Sequence, residues 1–507
     1  MRRDSVPLIL GAFTLAMFVL WWAGSGTLLA DFGGDNAVYW LTANHYSPWS
    51  TPTPPAAAFA AHSIYPPLYP WVMALAGGGV SLAAAHRVTA LIVLLAGLAG
   101  WSWLRVLGVP RMVALLALVL LAMTRIVLLE GLELHSEHLY LALWLAAAAL
   151  CGAPGLTPTR LLVAALLVGA ACLTRSFGLT LVASFLWWLL LTRPRGAWPA
   201  ALLAVAPLVL QNLLHQGNAR YLGEMFALYE AAGPGARLML NVERLWPAWQ
   251  GAFGVVSQPG FLSGLPLVLL LAALPALGRG LRAKRFDAWS VLAYTLLMAA
   301  WPYPAEYERM CYPLLPFVLG FALASARALW PARLDARLAV APVLALWLAA
   351  IAPFAALVGA RLATPPADPG LAPYLRSSAW FDPEPTTAFP TLAYQRAVSE
   401  ALRGLPARLP GDACVRAIKP SVVAALSGLA ATGFPPYQQS TEATRDALAT
   451  GPCRYLFILM FPSPSFPEYY YPLKRLEPWL EILAVYPNPL RTDRPAALLA
   501  RLRDTPP

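Results

Sequence analysis

The chain has 507 residues, of which 59% are hydrophobic and 12% are charged. Because soluble domains carry roughly 25% charged residues, this composition excludes an ordinary soluble protein and indicates a polytopic membrane protein. The formal net charge of +11 would favour a nucleic-acid partner only if the basic residues shared one face. Many of them instead fall in short breaks between apolar runs, which is a signal of membrane topology.

Apolar runs that approach the roughly 20 residues needed to cross a bilayer recur through the first 358 residues. They predict about eleven transmembrane helices, at residues 7–29, 83–107, 112–129, 139–151, 161–173, 177–191, 198–214, 261–277, 288–301, 312–329 and 338–358. The first run is too long for a signal-peptide core and lacks a small-residue cleavage site, which predicts a retained signal anchor. Arg2 and Arg3 predict that the amino terminus lies on the cytoplasmic side of the cell (inner) membrane.

The first external segment, residues 30–82, carries two carboxylates, Asp31 and Asp35, close to the first run. No Lys or Arg lies between Arg3 and Arg87, which favours the outer side of the membrane. The Trp and Tyr residues of the segment predict short helices at the membrane interface. Asp35 has two interpretations: it caps one of these helices, or it is a catalytic base at the membrane surface.

Other ionisable side chains lie at the predicted outer ends of spans, where they are costly unless they line a cavity or have a function. With the two external aspartates they form this set: Asp31, Asp35, Arg87, Arg125, Glu130, Glu133, Glu137, Arg175, Glu306, Glu308 and Arg309. A carboxylate that faces several arginines suits a reaction in which a hydroxyl loses its proton while a phosphate departs. The alternative is a set of ion pairs that anchors the helical bundle.

The character of the sequence changes after Arg361, where charged residues and prolines return and the hydrophobic runs shorten. Short apolar runs predict helices at residues 398–405 and 422–429 and strands at residues 414–418 and 455–461. We therefore predict two domains, a transmembrane domain at residues 1–359 and a small α/β domain at residues 360–507. An odd number of spans places the second domain outside the membrane, on the periplasmic side.

The cysteines divide into two groups. Cys414 and Cys453 each begin a predicted strand of the external domain, where they form either a disulfide or two buried thiols. Cys151, Cys172 and Cys311 fall in or beside predicted spans without the spacing of metal ligands, which indicates packing residues.

The external segment resembles the first external loop of the GT-C membrane glycosyltransferases, in particular the lipid A aminoarabinose transferase and protein O-mannosyltransferase group. That loop reads Asp-Glu-x-x-Tyr and then Lys-Pro-Pro-Leu, whereas here residues 35–39 read Asp-Asn-Ala-Val-Tyr and residues 65–68 read Tyr-Pro-Pro-Leu. Asn36 replaces the second acid and Tyr65 replaces the Lys, so the contacts of those two side chains do not carry over. Further resemblance lies in residues 136–140, 173–176 and 309–316.

The resemblance implies transfer of a sugar, with inversion, from a polyprenyl-phosphate-linked donor to an extracytoplasmic lipid, glycan or protein. It assigns Asp35 as the general base and Arg309 and Arg175 as ligands of the donor phosphate. The donor and acceptor pocket then contains Asp31, Tyr39, Tyr65 and Glu137. The implied partners are the donor, the acceptor and the lipid bilayer, without a nucleic acid.

Whether the protein binds a divalent metal is left open, because some relatives use one. The candidate ligands are Glu133, His135, Glu137 and His138, and the alternative is a solvated acidic loop. Without reference to the family, the sequence shows no glycine-rich phosphate loop. The competing function is a transporter or flippase of lipid-linked saccharides, although the internal repeats common in transporters are not visible. A third is a non-catalytic scaffold with an external binding domain.

Overall fold

The computed structural model describes most of the chain. The described residues are 34–63, 65–214, 223, 226–230, 233–256, 258–301, 303, 306–330, 336–364, 371, 385–435, 440–459, 476–489 and 495–503. The predicted first span at residues 7–29 and the candidate pocket residue Asp31 lie outside this set, so the structure says nothing about them.

Helices dominate the described residues. Up to residue 363 they are α1 (Asp35–Tyr46), α2 (Ala56–His62), α3 (Leu68–Leu75), α4 (Leu82–Val106), α5 (Arg111–Ala122), α6 (Arg125–Gly131), α7 (Glu137–Gly152), α8 (Pro158–Cys172), α9 (Gly178–Thr192), α10 (Ala197–Leu214), α11 (Pro234–Phe253), α12 (Gly260–Ser263), α13 (Leu265–Arg282), α14 (Phe286–Ala300), α15 (Tyr307–Cys311), α16 (Leu315–Leu329) and α17 (Ala336–Ala363).

Four stretches of described helix are long and apolar enough to cross a bilayer: Leu82–Val106, Gly260–Arg282, Tyr307–Leu329 and Leu338–Arg361. Five more helices are apolar but shorter, with 10–17 residues: Glu137–Gly152, Pro158–Cys172, Gly178–Thr192, Ala197–Gln211 and Phe286–Ala300. These helices make the chain a multi-pass membrane protein.

The predicted third span, residues 112–129, is broken into two helices, α5 and α6. The chain bends by 71° between α5 and α6. The Thr124 hydroxyl lies at the bend, where it donates to the Leu120 carbonyl oxygen and accepts from the Trp347 indole at 3.0 Å in both cases. A side chain that inserts into the backbone ladder in this way is a common cause of a helix bend. Arg125 consequently begins a new helix.

The core of the bundle contains a cluster of aromatic rings. Trp144 of α7 lies 4.4 Å, between ring centroids, from Phe317 of α16, and Trp103 of α4 lies 4.7 Å from the same ring. The Trp103 indole donates to buried Asp287 at 2.9 Å, and Arg285 pairs with the same carboxylate. A buried indole nitrogen and a buried carboxylate thus satisfy each other between distant helices, which avoids the cost of an unpaired polar group.

The segment predicted to be external, for which the name external segment is kept, folds into the short helices α1, α2 and α3, as predicted. The Asn44 side chain holds the segment together because it donates to the Gly79 carbonyl at 2.8 Å and accepts from the Thr53 amide at 2.7 Å. The Leu68 amide, at the start of α3, donates to the Leu173 carbonyl at 2.9 Å. This last bond fixes the external segment to the turn between α8 and α9.

The C-terminal sheet region contains helices α18 (Pro385–Arg403), α19 (Pro420–Ser427) and α20 (Thr441–Ala449) and five strands. The strands are β1 (Cys414–Ala417), β2 (Ala430–Gly433), β3 (Tyr455–Leu459), β4 (Leu480–Tyr486) and β5 (Ala497–Leu502). Their order is β2-β1-β3-β5-β4, with β1 parallel to β2 and β3, and β5 antiparallel to β3 and β4.

Several predicted bounds in this region need correction. The helix predicted at residues 398–405 begins earlier, at Pro385, and ends at Arg403. The strands predicted at residues 414–418 and 455–461 exist with shorter bounds, and three further strands were missed. Two of the missed strands, β2 and β4, lie at the sheet edges. β2 has only the four residues Ala-Ala-Thr-Gly and gives a weak signal, whereas β4 reads Leu-Glu-Ile-Leu-Ala-Val-Tyr, an apolar run that the prediction overlooked.

Cys414 and Cys453 form a disulfide, with Cα atoms 4.4 Å apart, which decides between the two alternatives left by the sequence. It joins the start of β1 to the turn that precedes β3. Beside it, the buried Arg416 side chain donates to the carbonyl oxygens of Cys453 and Thr450. The other three cysteines are free thiols in or beside helices of the bundle.

Candidate functional site

Asp35 is the first residue of α1, and its carboxylate has two partners from distant parts of the chain. The Tyr65 hydroxyl donates to Oδ1 at 2.7 Å. Nη1 of Arg309 donates to Oδ2 at 2.8 Å. The structure therefore brings together three residues that the sequence assigned to one site.

Arg309 also contacts Glu137, the first residue of α7. Its Nε and Nη2 donate to the two oxygens of the Glu137 carboxylate, the second at 3.0 Å, in a bidentate pair. Nη1 of Arg175 pairs with the same carboxylate. Glu137 thus lies between two guanidinium groups, and Arg309 connects it to Asp35.

Two irregular segments present these arginines. Arg175 lies in the tight turn between α8 and α9, where its amide donates to the Ala171 carbonyl and its own carbonyl accepts from the Gly178 amide. Arg309 lies on the five-residue helix α15, which a 3₁₀ turn (Tyr312–Leu314) joins to α16. Both arginines lie next to the end of a longer helix. Their side chains therefore extend beyond the apolar core and reach Glu137 there.

Burial separates the two carboxylates. The Asp35 side chain is 28% exposed, whereas that of Glu137 is 1% exposed. The arginines are intermediate, at 20% for Arg309 and 14% for Arg175. Asp35 faces the open side of the cluster, while Glu137 lies beneath the two arginines as their buried counter-ion.

The protonation state of Asp35 follows from its neighbours. Burial alone raises the pKa of this carboxyl group, but the charges of Arg309 and His135 and the hydrogen bonds from Arg309 and Tyr65 outweigh burial. The net result is a pKa below the ordinary value. Asp35 is therefore a carboxylate at neutral pH, with lone pairs that can accept a proton.

The titratable turn between α6 and α7 is buried, which contradicts the alternative of a solvated acidic loop. Glu130, Glu133, His135, Glu137 and His138 are each at most 6% exposed. Each has a protein partner. Glu133 accepts from the Asn36 amide, whereas the His138 Nε2–H donates to the Glu130 carbonyl at 2.9 Å and Nδ1 accepts from the Tyr312 hydroxyl.

The metal hypothesis fits this turn poorly. Ligand atoms of Glu130, His135 and Glu137 lie within 4.8 Å of one another, so Glu130 replaces the predicted candidates Glu133 and His138. However, two arginines already bind Glu137, and Glu130 accepts from His135 at 2.7 Å. Burial lowers the pKa of His135, but Glu130 and Glu137 reverse this and raise it to about 9, so the imidazole is cationic. We derive no chemical step through a metal.

The predicted pocket tyrosines have different environments. Tyr65 contacts Asp35 directly and is half-buried. Tyr39 is buried, and its hydroxyl bonds to Ser136 Oγ at 2.9 Å, with its ring 5.1 Å from both the Tyr65 and Tyr69 rings. Tyr39 therefore supports Tyr65 from behind and does not line the open face.

Sequence reasoning missed the role of Asn36, which it treated only as a departure from the family motif. The buried Asn36 amide donates to the Glu133 carboxylate, and its oxygen accepts from the Leu134 amide at 2.6 Å. An acid at this position would face the Glu133 carboxylate without a donor between them. In the sequence, the pair is indicated only by an amide side chain at residue 36 and an acid, Glu133, in the turn between α6 and α7.

No protein-family model matches the sequence, and no curated protein matches it. Among solved structures, the fold is similar to that of ArnT from Cupriavidus metallidurans bound to undecaprenyl phosphate, with a TM-score of 0.50 and 13% identity over 98% of each chain. It is also similar to the arabinofuranosyltransferase AftD from Mycobacteria, with a TM-score of 0.51 and 16% identity, over all of this chain and 40% of AftD. Both neighbours are GT-C glycosyltransferases, and the chain shares their fold.

Proposed function

From this shared GT-C fold, we propose that the chain is a glycosyltransferase that uses a sugar linked to polyprenyl phosphate. The acceptor is a hydroxyl or amine of a lipid, glycan or protein on the extracytoplasmic side. The observation that carries the proposal is the contact between a partly exposed, ionised carboxylate, Asp35, and a partly exposed arginine, Arg309, at the mouth of a helical bundle.

Each residue then has a defined role in a transfer with inversion. Asp35 takes the proton of the acceptor as the acceptor oxygen or nitrogen forms a bond to the anomeric carbon. The bond from that carbon to the phosphate oxygen breaks, and its electron pair leaves with the polyprenyl phosphate. Arg309 and Arg175 stabilise the charge that develops on the departing phosphate.

The burial of Glu137 supports this division of roles. A nearly inaccessible carboxylate cannot reach an acceptor, but it pairs with both guanidinium groups, and one of these, Arg309, also contacts Asp35. Arg309 uses three of its nitrogens for Asp35 and Glu137, and the remaining N–H bonds on Nη1 and Nη2 can contact phosphate oxygens. Before any substrate binds, the cluster thus already holds a base, Asp35, next to N–H donors that can bind an anion.

The topology belongs to the same proposal. About eleven spans, a cytoplasmic amino terminus and an inner-membrane location put Asp35 on the outer surface. The transmembrane domain is then residues 1–359, and residues 360–507 form an external domain. Asp31, four residues before Asp35, stays a proposed pocket residue on sequence grounds.

Purified full-length protein in lipid nanodiscs tests the proposal with a synthetic polyprenyl-phosphate sugar and membranes from cells that lack the chain. Formation of free polyprenyl phosphate measures donor turnover, and mass spectrometry of lipid, glycan and protein fractions identifies the acceptor and sugar. We expect Asp35→Asn to lower turnover about 10²- to 10⁴-fold, because a general base is worth that factor. Donor affinity should change little.

Arg309 variants provide the second arm. Arg309→Ala should weaken both donor affinity and turnover, whereas Arg309→Lys should recover only part, because a point charge does not reproduce the bidentate fork. Near-normal turnover by Asp35→Asn would exclude Asp35 as the base. In sealed proteoliposomes, movement of intact donor across the bilayer without formation of polyprenyl phosphate would favour the transporter instead.

A further inference from the structure

The C-terminal sheet region contacts the residue immediately before Asp35. Oγ of Ser421, in the first turn of α19, donates to the Gly34 carbonyl oxygen at 3.1 Å, and Ser421 is 4% exposed. The same carbonyl accepts from the Val38 amide at 3.0 Å, which is the first backbone bond of α1. Ser421 therefore binds the carbonyl from which the Asp35 helix begins.

Gly34 itself allows this contact. Its φ is +90°, a region that favours glycine. A Cβ added there would lie 3.4 Å from both Ser421 Oγ and Lys419 Cδ, so the C-terminal sheet region lies directly against the Gly34 backbone. Within the described residues, α1 has no side-chain cap of its own at this end.

Apolar packing continues the contact along α1. Ala37 is fully buried in the hydrophobic core of the C-terminal sheet region, with Val422 and Val423 of α19. Ala424 of the same helix packs with Tyr39 and its neighbours on the external segment. The two parts of the chain therefore share a core at α1.

Four consecutive residues thus contact four parts of the molecule. Gly34 and Ala37 contact α19, Asp35 contacts Tyr65 and Arg309, and Asn36 contacts the turn between α6 and α7. Because Asp35 is next to Gly34, a shift of the Gly34 carbonyl also moves the Asp35 backbone. A displacement of about 1 Å at a reacting group can cost roughly 100-fold in rate.

We propose that Ser421 is a positioning residue for Asp35, through which the C-terminal sheet region holds the first turn of α1 in register with Arg309. The inference rests on the proposed function, because it assigns Asp35 the role of base. Ser421 touches neither donor nor acceptor in this proposal. Its effect passes through the Gly34 carbonyl, so it concerns turnover and not donor affinity.

The test compares Ser421→Ala with Ser427→Ala in full-length protein. Ser427 is a matched control because its Oγ donates to the Val423 carbonyl within the same helix, at 2.7 Å, and its hydrogen bonds among the described residues do not involve α1. With the synthetic polyprenyl-phosphate sugar, we expect Ser421→Ala to lower kcat about 10-fold or more, with donor KM within about twofold. Ser427→Ala should retain its kcat, and Ser421→Thr, which keeps the hydroxyl, should recover most of the loss.

The outcomes separate this inference from the proposed function. Equal kcat for Ser421→Ala and Ser427→Ala, in a series where Asp35→Asn is inactive, overturns the positioning role alone. Normal turnover by Asp35→Asn overturns the proposed function, and the inference with it. Should Ser421→Ala melt well below Ser427→Ala, Ser421→Thr decides: recovery of kcat supports the positioning role, and continued loss at a normal melting temperature overturns it.

Discussion

At the scale of single residues, the site contains two carboxylates that share one arginine and differ in access to solvent. Asp35 is partly exposed and can reach a substrate, whereas Glu137 is almost inaccessible and pairs with two guanidinium groups. A buried charge is tolerated only when it is paired, so the two arginines and Glu137 require one another. This interdependence allows the roles of the carboxylates to be tested separately.

Tyr65→Phe tests the contact between Tyr65 and Asp35. The hydrogen bond from Tyr65 favours the carboxylate and helps to lower the pKa of Asp35, so its loss should raise that pKa. The base form is lost as pH falls through the pKa, so the acid limb of the kcat/KM profile should move to higher pH. Tyr69→Phe, which removes a hydroxyl bonded to Thr89, is the control with an unchanged limb. An acid limb that stays in place for Tyr65→Phe would contradict the assignment.

Glu137→Gln tests the buried counter-ion. The substitution keeps the shape but removes the buried carboxylate that pairs with Arg175, which is also one of the carboxylates that pair with Arg309, and we expect this loss to cost about 3–5 kcal/mol of stability. Glu481→Gln removes one partner of the exposed Arg501 pair and should cost only about 0–1 kcal/mol. Thermal melting in the same detergent measures both. Equal melting temperatures would show that Glu137 is not the anchor of the cluster.

At the scale of elements, the turn between α8 and α9 determines where Arg175 lies. Gly178 begins α9 directly against the end of α8, where an added Cβ would lie 2.3 Å from Cys172 Cα and 2.6 Å from the Ala171 carbonyl oxygen. Both neighbours are backbone atoms, which cannot rotate away. The close approach also supports the hydrogen bond from the Gly178 amide to the Arg175 carbonyl, at 2.8 Å.

Gly178→Ala should therefore open this turn. We expect a loss of about 1–3 kcal/mol from overpacking and weaker donor binding, because Arg175 moves with the turn. Gly97→Ala is the matched control, since an added Cβ in the middle of α4 meets no atom within 4 Å. Melting temperature and donor KM report the two effects. A Gly178→Ala protein as stable as Gly97→Ala would be inconsistent with the tight turn.

At the scale of the whole molecule, the site has the proposed function only if α1, α15 and the C-terminal sheet region lie on the outer side of the membrane. Reporter fusions at residue 362 and within residues 279–285 test this orientation in intact cells. We expect an external reporter at residue 362 and an internal one at the basic loop, following the positive-inside rule. Two reporters on the same side would contradict the span count and the external location of Asp35.

The sequence by itself determined the properties that are local along the chain. Apolar composition determined a membrane protein, because each helix that crosses a bilayer needs about 20 consecutive, predominantly apolar residues. The family resemblance carried by the residues around Asp35, Tyr65 and Arg309 predicted that these side chains belong to one site. The positions of Cys414 and Cys453 at the starts of predicted strands left two possible states for them, a disulfide or a pair of buried thiols.

Tertiary structure decided which charges meet, because an ion pair depends on the distance between side chains and not on their separation in sequence. Asp35 and Arg309 are 274 residues apart, and only the packed helices bring Glu137 beneath both arginines. The same applies to Asn36 with Glu133 and to Ser421 with Gly34, where ordinary polar residues become buried partners between elements. Burial, which converts a predicted acidic loop into a network of paired charges, exists only once the chain has folded.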